Sequence, residues 1–427
     1  MDIKISNATV ITNNTNDDVL DNAQIHIKDG RIAYVGPAAD APVFAVQREI
    51  EADGNIVMPG FFDLHTHIPM TILRGYADDL PLDKWLFERI FPAEDKLDDE
   101  MVYWSSLAAL CEFAAAGIVG FNEMYSNHDA IADAAIKSGH RMVLARGIVS
   151  PDHEGTELRM REARECFEKY HGEGRCQVFM APHAQYTVNE QTLKRIADMA
   201  KECGVGIHVH VSETKSEHDN CVKETGKTPI QLFESLGLLD VPFIGAHCVW
   251  VSDDDIKILA AHGATVASCP RSNLKLASGI APVKKMIDAG VNVALGTDGA
   301  ASNNKLSMMS EMTFASMLQK GVTGDPEAVP AKQAIRMASA HGAGALGFDS
   351  GVIEAGKNAD IIMFNSHGVR FRPKYDPVSS VVYAASDTDI CMTMVGGDVI
   401  YENGKVTFVD IEEVYDRLEK YSAIYKG

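Results

Sequence analysis

Two histidines one residue apart, His65 and His67, close the run PGFFDLHTH at 59–67. In a strand, positions i and i+2 point to the same face, so the two imidazoles converge on one point. A pair of packed core histidines would read the same way, and a metal reading needs further ligands elsewhere. They are present at the ends of other short apolar runs. GIHVHV ends at His210 and Val211, with Glu213 following in HVSE; FIGAH ends in His247; VFMAP runs into His183; VALGT runs into Asp298 within LGTDGAASNN. Three histidines and an aspartate around an open position form the nitrogen and oxygen donor set of a catalytic zinc with room for water. Such a metal lowers the pKa of water toward ~7. A separate carboxylate must then carry protons to the leaving group, and Glu213, beside His210, is placed for that.

These residues need a scaffold that brings strand ends to one face. The middle of the chain alternates short apolar runs with amphipathic stretches, as a parallel α/β architecture requires. Eight candidate strands are FFDLH (61–65), IVGFN (118–122), MVLARG (142–147), VFMAP (178–182), GIHVHV (206–211), FIGAH (243–247), ATVAS (264–268) and VALGT (293–297), with helices such as 99–117 between them. Eight strands over this length suit a (β/α)8 TIM-type barrel, in which all the residues above project into the mouth at the C-terminal ends of the strands. A doubly wound open sheet is the alternative, weakened by the lack of a GxGxxG or Walker-type loop. The first 55 or so residues read as strands, with a hairpin at Asp29-Gly30, and 360–365 and 391–409 read alike, with a second hairpin at Asn403-Gly404. A final helix is expected over about 411–426. The simplest organisation is a small β-sandwich domain built from both termini (1–55 plus 350–427) around a barrel at 56–349.

With 427 residues, 46% hydrophobic and 23% charged, the composition is that of a globular protein large enough for both units. A net charge of −21 disfavours phosphate backbones and anionic membranes, so neither nucleic acid nor membrane is expected as a partner. The start MDIKISNATV shows no secretory signal, no apolar run reaches ~18 residues, and eight scattered cysteines without a CxxC suit a reducing compartment. A cytoplasmic location is expected, and a homo-oligomer is compatible with the sequence.

PGFFDLHTH, HVSETKSE, GAHCVW and LGTDGAASNN together resemble the amidohydrolase superfamily over nearly the whole chain, including GVIEAGKNADI at 351–361. Within it, residues 70–95 and SNLKLASGIAPV (272–283) resemble the methylthioadenosine/S-adenosylhomocysteine deaminases, a branch that also holds the s-triazine hydrolases. The resemblance implies a hydrolytic deaminase of 5′-substituted adenosines, with a deaminase or chlorohydrolase of a guanine, pterin or triazine ring as the alternative. It implies that His65, His67, His210 and Asp298 bind one divalent ion per chain, zinc first and Fe2+ or Mn2+ otherwise. The lysine that bridges two metals in other members is missing at the end of the fourth strand. Glu213 would be the proton shuttle, His247 would polarise the reacting groups, and Asp298 would also accept a proton. For the substrate, the resemblance points to Glu94 on the ribose hydroxyls, with Trp85 on the same segment, and to His183. Arg146 is a candidate for the 5′-substituent, an internal ion pair being the competing reading. His208 shares the face of His210 one layer down and is expected to support the site rather than to ligate. Glu123 stands where this branch often carries aspartate.

Overall fold

The computed structural model describes residues 1–426. Five strands open the chain: β1 (Ile3–Ile11), β2 (Val19–Lys28), β3 (Arg31–Pro37), β4 (Arg48–Glu51) and β5 (Ile56–Pro59). Nine more lie in the middle: β6 (Phe61–Thr66), β7 (Ile118–Tyr125), β8 (Arg141–Ile148), β9 (Cys176–Val178), β10 (Ala181–Pro182), β11 (Ile207–Val211), β12 (Phe243–His247), β13 (Thr265–Ser268) and β14 (Asn292–Leu295). The last four are β15 (Ile361–Phe364), β16 (Ile390–Val395), β17 (Asp398–Glu402) and β18 (Lys405–Val406).

One nine-stranded sheet draws on both ends of the chain, in the order β18-β17-β16-β15-β5-β1-β2-β3, with β4 paired to β1. The junction is the antiparallel pair β5–β15, with Val57 opposite Met363. Two of its hairpins turn where left-handed backbone is required, at Asp29 and Gly30 (φ +51° and +76°) and at Asn403 and Gly404 (φ +48° and +87°), the geometry Asp-Gly and Asn-Gly favour.

The middle strands are parallel and form the barrel. β6, β7, β8, β9 and β10 make one arc, and β11 to β14 make the other. Every residue of β6 and β7 is buried, as strands covered on both faces must be. The arcs join at bridges Met180–Ile207 and Ala184–His210. The expected single strand 178–182 is interrupted at this seam because the chain changes partners: the Phe179 N–H donates back to Leu144 O (3.2 Å), and the Met180 N–H donates forward to Gly206 O (2.9 Å). On the other side, the Asp298 N–H donates to His65 O at 2.8 Å, tying the end of β14 to β6. Gly296 permits this approach, since a Cβ there would lie 2.9 Å from both the Cβ and the carbonyl oxygen of His65. The structure thus has the TIM-type barrel architecture, with a core cluster that includes Phe62, Leu64, Val143, Phe179, Ile244 and Ala294.

Two further segments shape the mouth. Residues 82–94 are helical but broken into Leu82–Lys84, a wider π turn at Trp85–Ile90, and Phe91–Glu94. Pro92 has no N–H to give to a regular helix there. The C-terminal helix Ile411–Ser422 packs on the helix Asp99–Ala115, with Arg417 bonded to Glu100 (3.0 Å). It ends before the expected 426, in a short turn Ala423–Tyr425. All eight cysteines are free thiols. Among the described residues no helix is long and apolar enough to cross a membrane.

Candidate metal centre and active-site cavity

His65 and His67 close β6, His210 lies near the end of β11, His247 ends β12, and Asp298 sits three residues beyond β14. Their ring and carboxylate atoms meet. His67 Nε2 is 3.4 Å from His210 Nε2 and 3.4 Å from Asp298 Oδ1, and His65 Nε2 is 3.6 Å from the same Oδ1. The opposite ring atoms fix the tautomers. His67 Nδ1 donates to Met124 O (2.6 Å), and His210 Nδ1 donates to His183 O (2.7 Å). Both Nε2 atoms therefore present lone pairs. His65 Nδ1 lies 2.9 Å from His208 Nε2, and His65 Nε2 is buried with no hydrogen-bond partner among the described residues. Three buried lone pairs and a carboxylate oxygen aimed at one point repel each other unless a cation lies among them. The residues fit a divalent metal, and each ligand has the outer hydrogen bond that such sites carry. Burial holds His65, His67 and His210 below the usual imidazole range, in the neutral form that a ligand needs.

Asp298 has left-handed backbone (φ +61°), which turns its carboxylate back over the mouth. The Ser272 hydroxyl donates to its Oδ2 (2.5 Å), and the Gly299 N–H donates to Oδ1 (2.8 Å). Burial pushes this carboxyl up. His247, His67 and these two donors outweigh burial, so it stays below the usual carboxylate range. The loop behind it is held by Asn303, whose amide donates to Thr297 O (2.7 Å) and to Glu311 (2.8 Å).

His247 is also left-handed (φ +68°). Its Nδ1 donates to Asn273 Oδ1 (2.9 Å), which leaves Nε2 facing Glu213 Oε2 at 3.9 Å. The turn carrying Glu213 is pinned by Glu217, whose carboxylate accepts the N–H groups of Ser212 and Glu213, each at 2.8 Å. Burial pushes Glu213 above its ordinary range against the pull of His247, as suits a group that holds and releases a proton.

A cavity of about 650 Å3 opens above these atoms. Its wall contains Glu94, Trp85, Arg146 and His183 together with His67, His210, Glu213, His247 and Asp298, while His65 is fully buried beneath it. Glu94 accepts the Tyr125 hydroxyl at 2.6 Å, and burial pushes its carboxyl up to about 7. Trp85 Nε1 is buried with no partner among the described residues, a donor held ready at the wall. His183 Nδ1 bonds the Thr187 hydroxyl (3.0 Å). Arg146 lines the cavity, and its guanidinium makes the internal ion pair of the competing reading, with Glu162 (2.7 Å). Glu123 lies outside the cavity wall, fully buried, accepting the Ile68 N–H at 2.7 Å just behind His67. A wider groove of about 1230 Å3 runs alongside, sharing Leu86, Phe87 and Tyr186, and holds none of the metal-facing residues. Sequence reading passed over Ser272, Asn273, Tyr125, Glu217 and Arg159. The first two lie inside the SNLKLAS motif, and Glu217 lies four residues after Glu213; Tyr125 and Arg159 carry no such local signal.

A barrel with this ligand set at its mouth defines a class, and comparison with known proteins agrees: residues 56–400 match the amidohydrolase family, to which this chain belongs. Among its relatives, the 5-methylthioadenosine/S-adenosylhomocysteine deaminase of Moorella thermoacetica is 42% identical over 414 residues, covering 96% of each chain. The structure of an adenosine deaminase from Xanthomonas campestris with bound zinc superposes with a TM-score of 0.96 at 32% identity, over 100% of this chain and 98% of that one. The zinc complex of an atrazine chlorohydrolase from Arthrobacter aurescens shares the fold, with a TM-score of 0.91 at 24% identity over 98% of this chain and 100% of that one.

Proposed function

We infer that this chain is a metal-dependent hydrolytic deaminase of 5′-substituted adenosines, releasing ammonia and leaving the inosine analogue. The observation that carries the reading is that one cavity is lined by His67, His210, His247 and Asp298 and also by the carboxylate of Glu94. A free base or triazine has no vicinal diol for that carboxylate to accept from. The Moorella thermoacetica relative, 42% identical over 96% of each chain, carries this activity in its name.

His65, His67, His210 and Asp298 hold a single ion, and the all-nitrogen-and-oxygen donor set suits zinc. When bound, the metal supplies Lewis-acid activation of water. The chain's own groups do the rest. Glu213 takes the proton of the attacking water and delivers it to N1 as C6 of the adenine becomes tetrahedral. His247, oriented by Asn273, presents Nε2 beside Glu213 and polarises the same centre. Asp298 accepts a proton and passes it to the departing amine, which leaves as ammonia. Glu94 accepts from the ribose hydroxyls, charge-assisted bonds being the strong ones. Trp85 offers its free indole N–H, and His183 closes the wall beside His210. Arg146, paired with Glu162, and Arg159 line the same cavity and are the groups nearest to hand for a polar 5′-substituent.

The test is a panel. Purified protein is incubated with S-adenosylhomocysteine, 5′-methylthioadenosine, 5′-deoxyadenosine, adenosine, guanine and a chloro-triazine, and ammonia or chloride is followed. Ammonia from the adenosines is the expected result. Turnover confined to guanine or the triazine would overturn the reading.

A further inference from the structure

Residues 82–94, which carry Glu94, form one helical stretch widened into a π turn at Trp85–Ile90, of a length that is marginal for a helix standing alone. Glu94 comes last in it, with three rotatable side-chain bonds. What holds the carboxylate is a group from the barrel. Tyr125, the last residue of β7, donates its hydroxyl to Glu94 Oε1 at 2.6 Å. The Tyr125 ring is buried and lies 6.4 Å, centroid to centroid, from the ring of His67. The phenol thus reaches the carboxylate from a strand whose residues are all buried.

We propose that Tyr125 is a positioning residue for sugar recognition: its hydroxyl holds one oxygen of Glu94 so that the remaining acceptor sites face the vicinal diol. This rests on the reading of Glu94 given above. An ionised carboxylate has roughly four acceptor sites, so one bond from tyrosine leaves enough for two sugar hydroxyls. The phenol adds no negative charge to a group already crowded by Asp95 and enclosed near Tyr425. Burial disfavours the ionised form of Glu94, and the bond from Tyr125 works against that, keeping the carboxylate a better acceptor. Tyr125 thus acts through Glu94 and touches no reacting atom.

The test is a double-mutant cycle on the metal-loaded enzyme, with Tyr125→Phe, Glu94→Ala and the double variant. Each is assayed with 5′-methylthioadenosine and with its 2′,3′-dideoxy analogue, alongside metal content and melting temperature. Tyr125→Phe is expected to lower kcat/KM for the riboside by about tenfold, mainly through KM. The dideoxy compound should change by less than about twofold. In the Glu94→Ala background the phenylalanine should cost nothing more on either compound. Equal losses on both compounds, or a full additional loss in the Glu94→Ala background, would show a structural role and overturn the proposal, as would an unchanged riboside rate. The outcomes separate the two readings. If Glu94→Ala itself leaves the riboside-to-dideoxy ratio unaltered, the diol reading of Glu94 is lost. If that variant lowers the ratio while Tyr125→Phe is silent, only the tyrosine proposal is lost.

Discussion

The two sides of the cavity are built differently. On the metal side, the three histidines sit on or one residue beyond barrel strands and are tied outward to a backbone carbonyl or a neighbouring ring, at Met124, His183 and His208. Asp298 is held by Ser272, by Gly299 and by the Asn303–Glu311 brace behind its loop. On the sugar side, Trp85 and Glu94 ride on broken helix, and their order comes from distant side chains: Tyr125 on Glu94, and Tyr425, whose hydroxyl donates to Ala93 O at 3.0 Å. Tyr425 also packs edge-on against Tyr76, 5.5 Å between centroids. On the function proposed above, chemistry rests on strand ends and selectivity on a separate helical segment. That is how one barrel serves many substrates.

If the two sides are separable, the largest effects belong to the metal side. Removing the metal with a chelator should take turnover to background and Zn2+ should restore it, while calorimetric binding still favours a riboside over its dideoxy analogue. Loss of that preference in the metal-free protein would break the separation. Next is Glu213→Gln, which keeps the shape and removes the acid. Turnover should fall by ~10²–10⁴, with metal content by elemental analysis unchanged and KM for the riboside little moved.

The sugar side should give smaller and substrate-dependent losses. Glu94→Ala should cost on the order of 10²-fold in kcat/KM for the riboside and little for the dideoxy compound. Protonation should mimic it. With its carboxyl pushed up to about 7, Glu94 gains a proton as pH falls through that value, so KM for the riboside should rise on the acid side while KM for the dideoxy compound stays flat. A parallel rise for both would assign the titration elsewhere.

The smallest effect concerns the brace behind Asp298. Burial pushes Glu311 up to about 8, against the Arg271 N–H, the Asn303 amide and the Arg271 charge. A carboxyl raised on folding favours the folded state while protonated, and that contribution is lost as pH rises from the unfolded pKa through the folded one. Between about pH 4.5 and about pH 8 the wild type should therefore lose stability relative to Glu311→Gln. Scanning calorimetry at several pH values should show the melting-temperature difference shifting by several degrees in favour of the glutamine variant. A constant difference would mean that Glu311 stays in one ionisation state throughout.

What could be read from the sequence follows the same division. The barrel strands, and the residues that converge at the mouth, were legible because strand periodicity is local: His65 and His67 are two apart, and His210 and Asp298 each end or follow an apolar run. The hairpins at Asp29-Gly30 and Asn403-Gly404 were legible because two residues specify the turn. The break of 178–182 was not, because it reflects a change of hydrogen-bond partner between β8 and the segment before β11, which no local pattern encodes. Tyr125 and Tyr425 were invisible for a related reason. Their partners lie 31 and 332 residues away, and a tyrosine at the end of an apolar strand or after an amphipathic helix reads as ordinary packing.

The β5–β15 pairing has a consequence in time. About 300 residues separate Pro59 from Ile361, so at ~5–20 residues per second β5 waits ~15–60 s during synthesis for its neighbour. Throughout that interval Ile56, Val57 and Met58 form an open apolar edge on the nascent chain. His65, His67, His210 and Asp298 are all made before β15, and Tyr425 follows only after the last strand. A chain halted on the ribosome after Ala345 would thus carry all four proposed ligands while its long sheet is still split and the hydroxyl that bonds Ala93 has yet to be made.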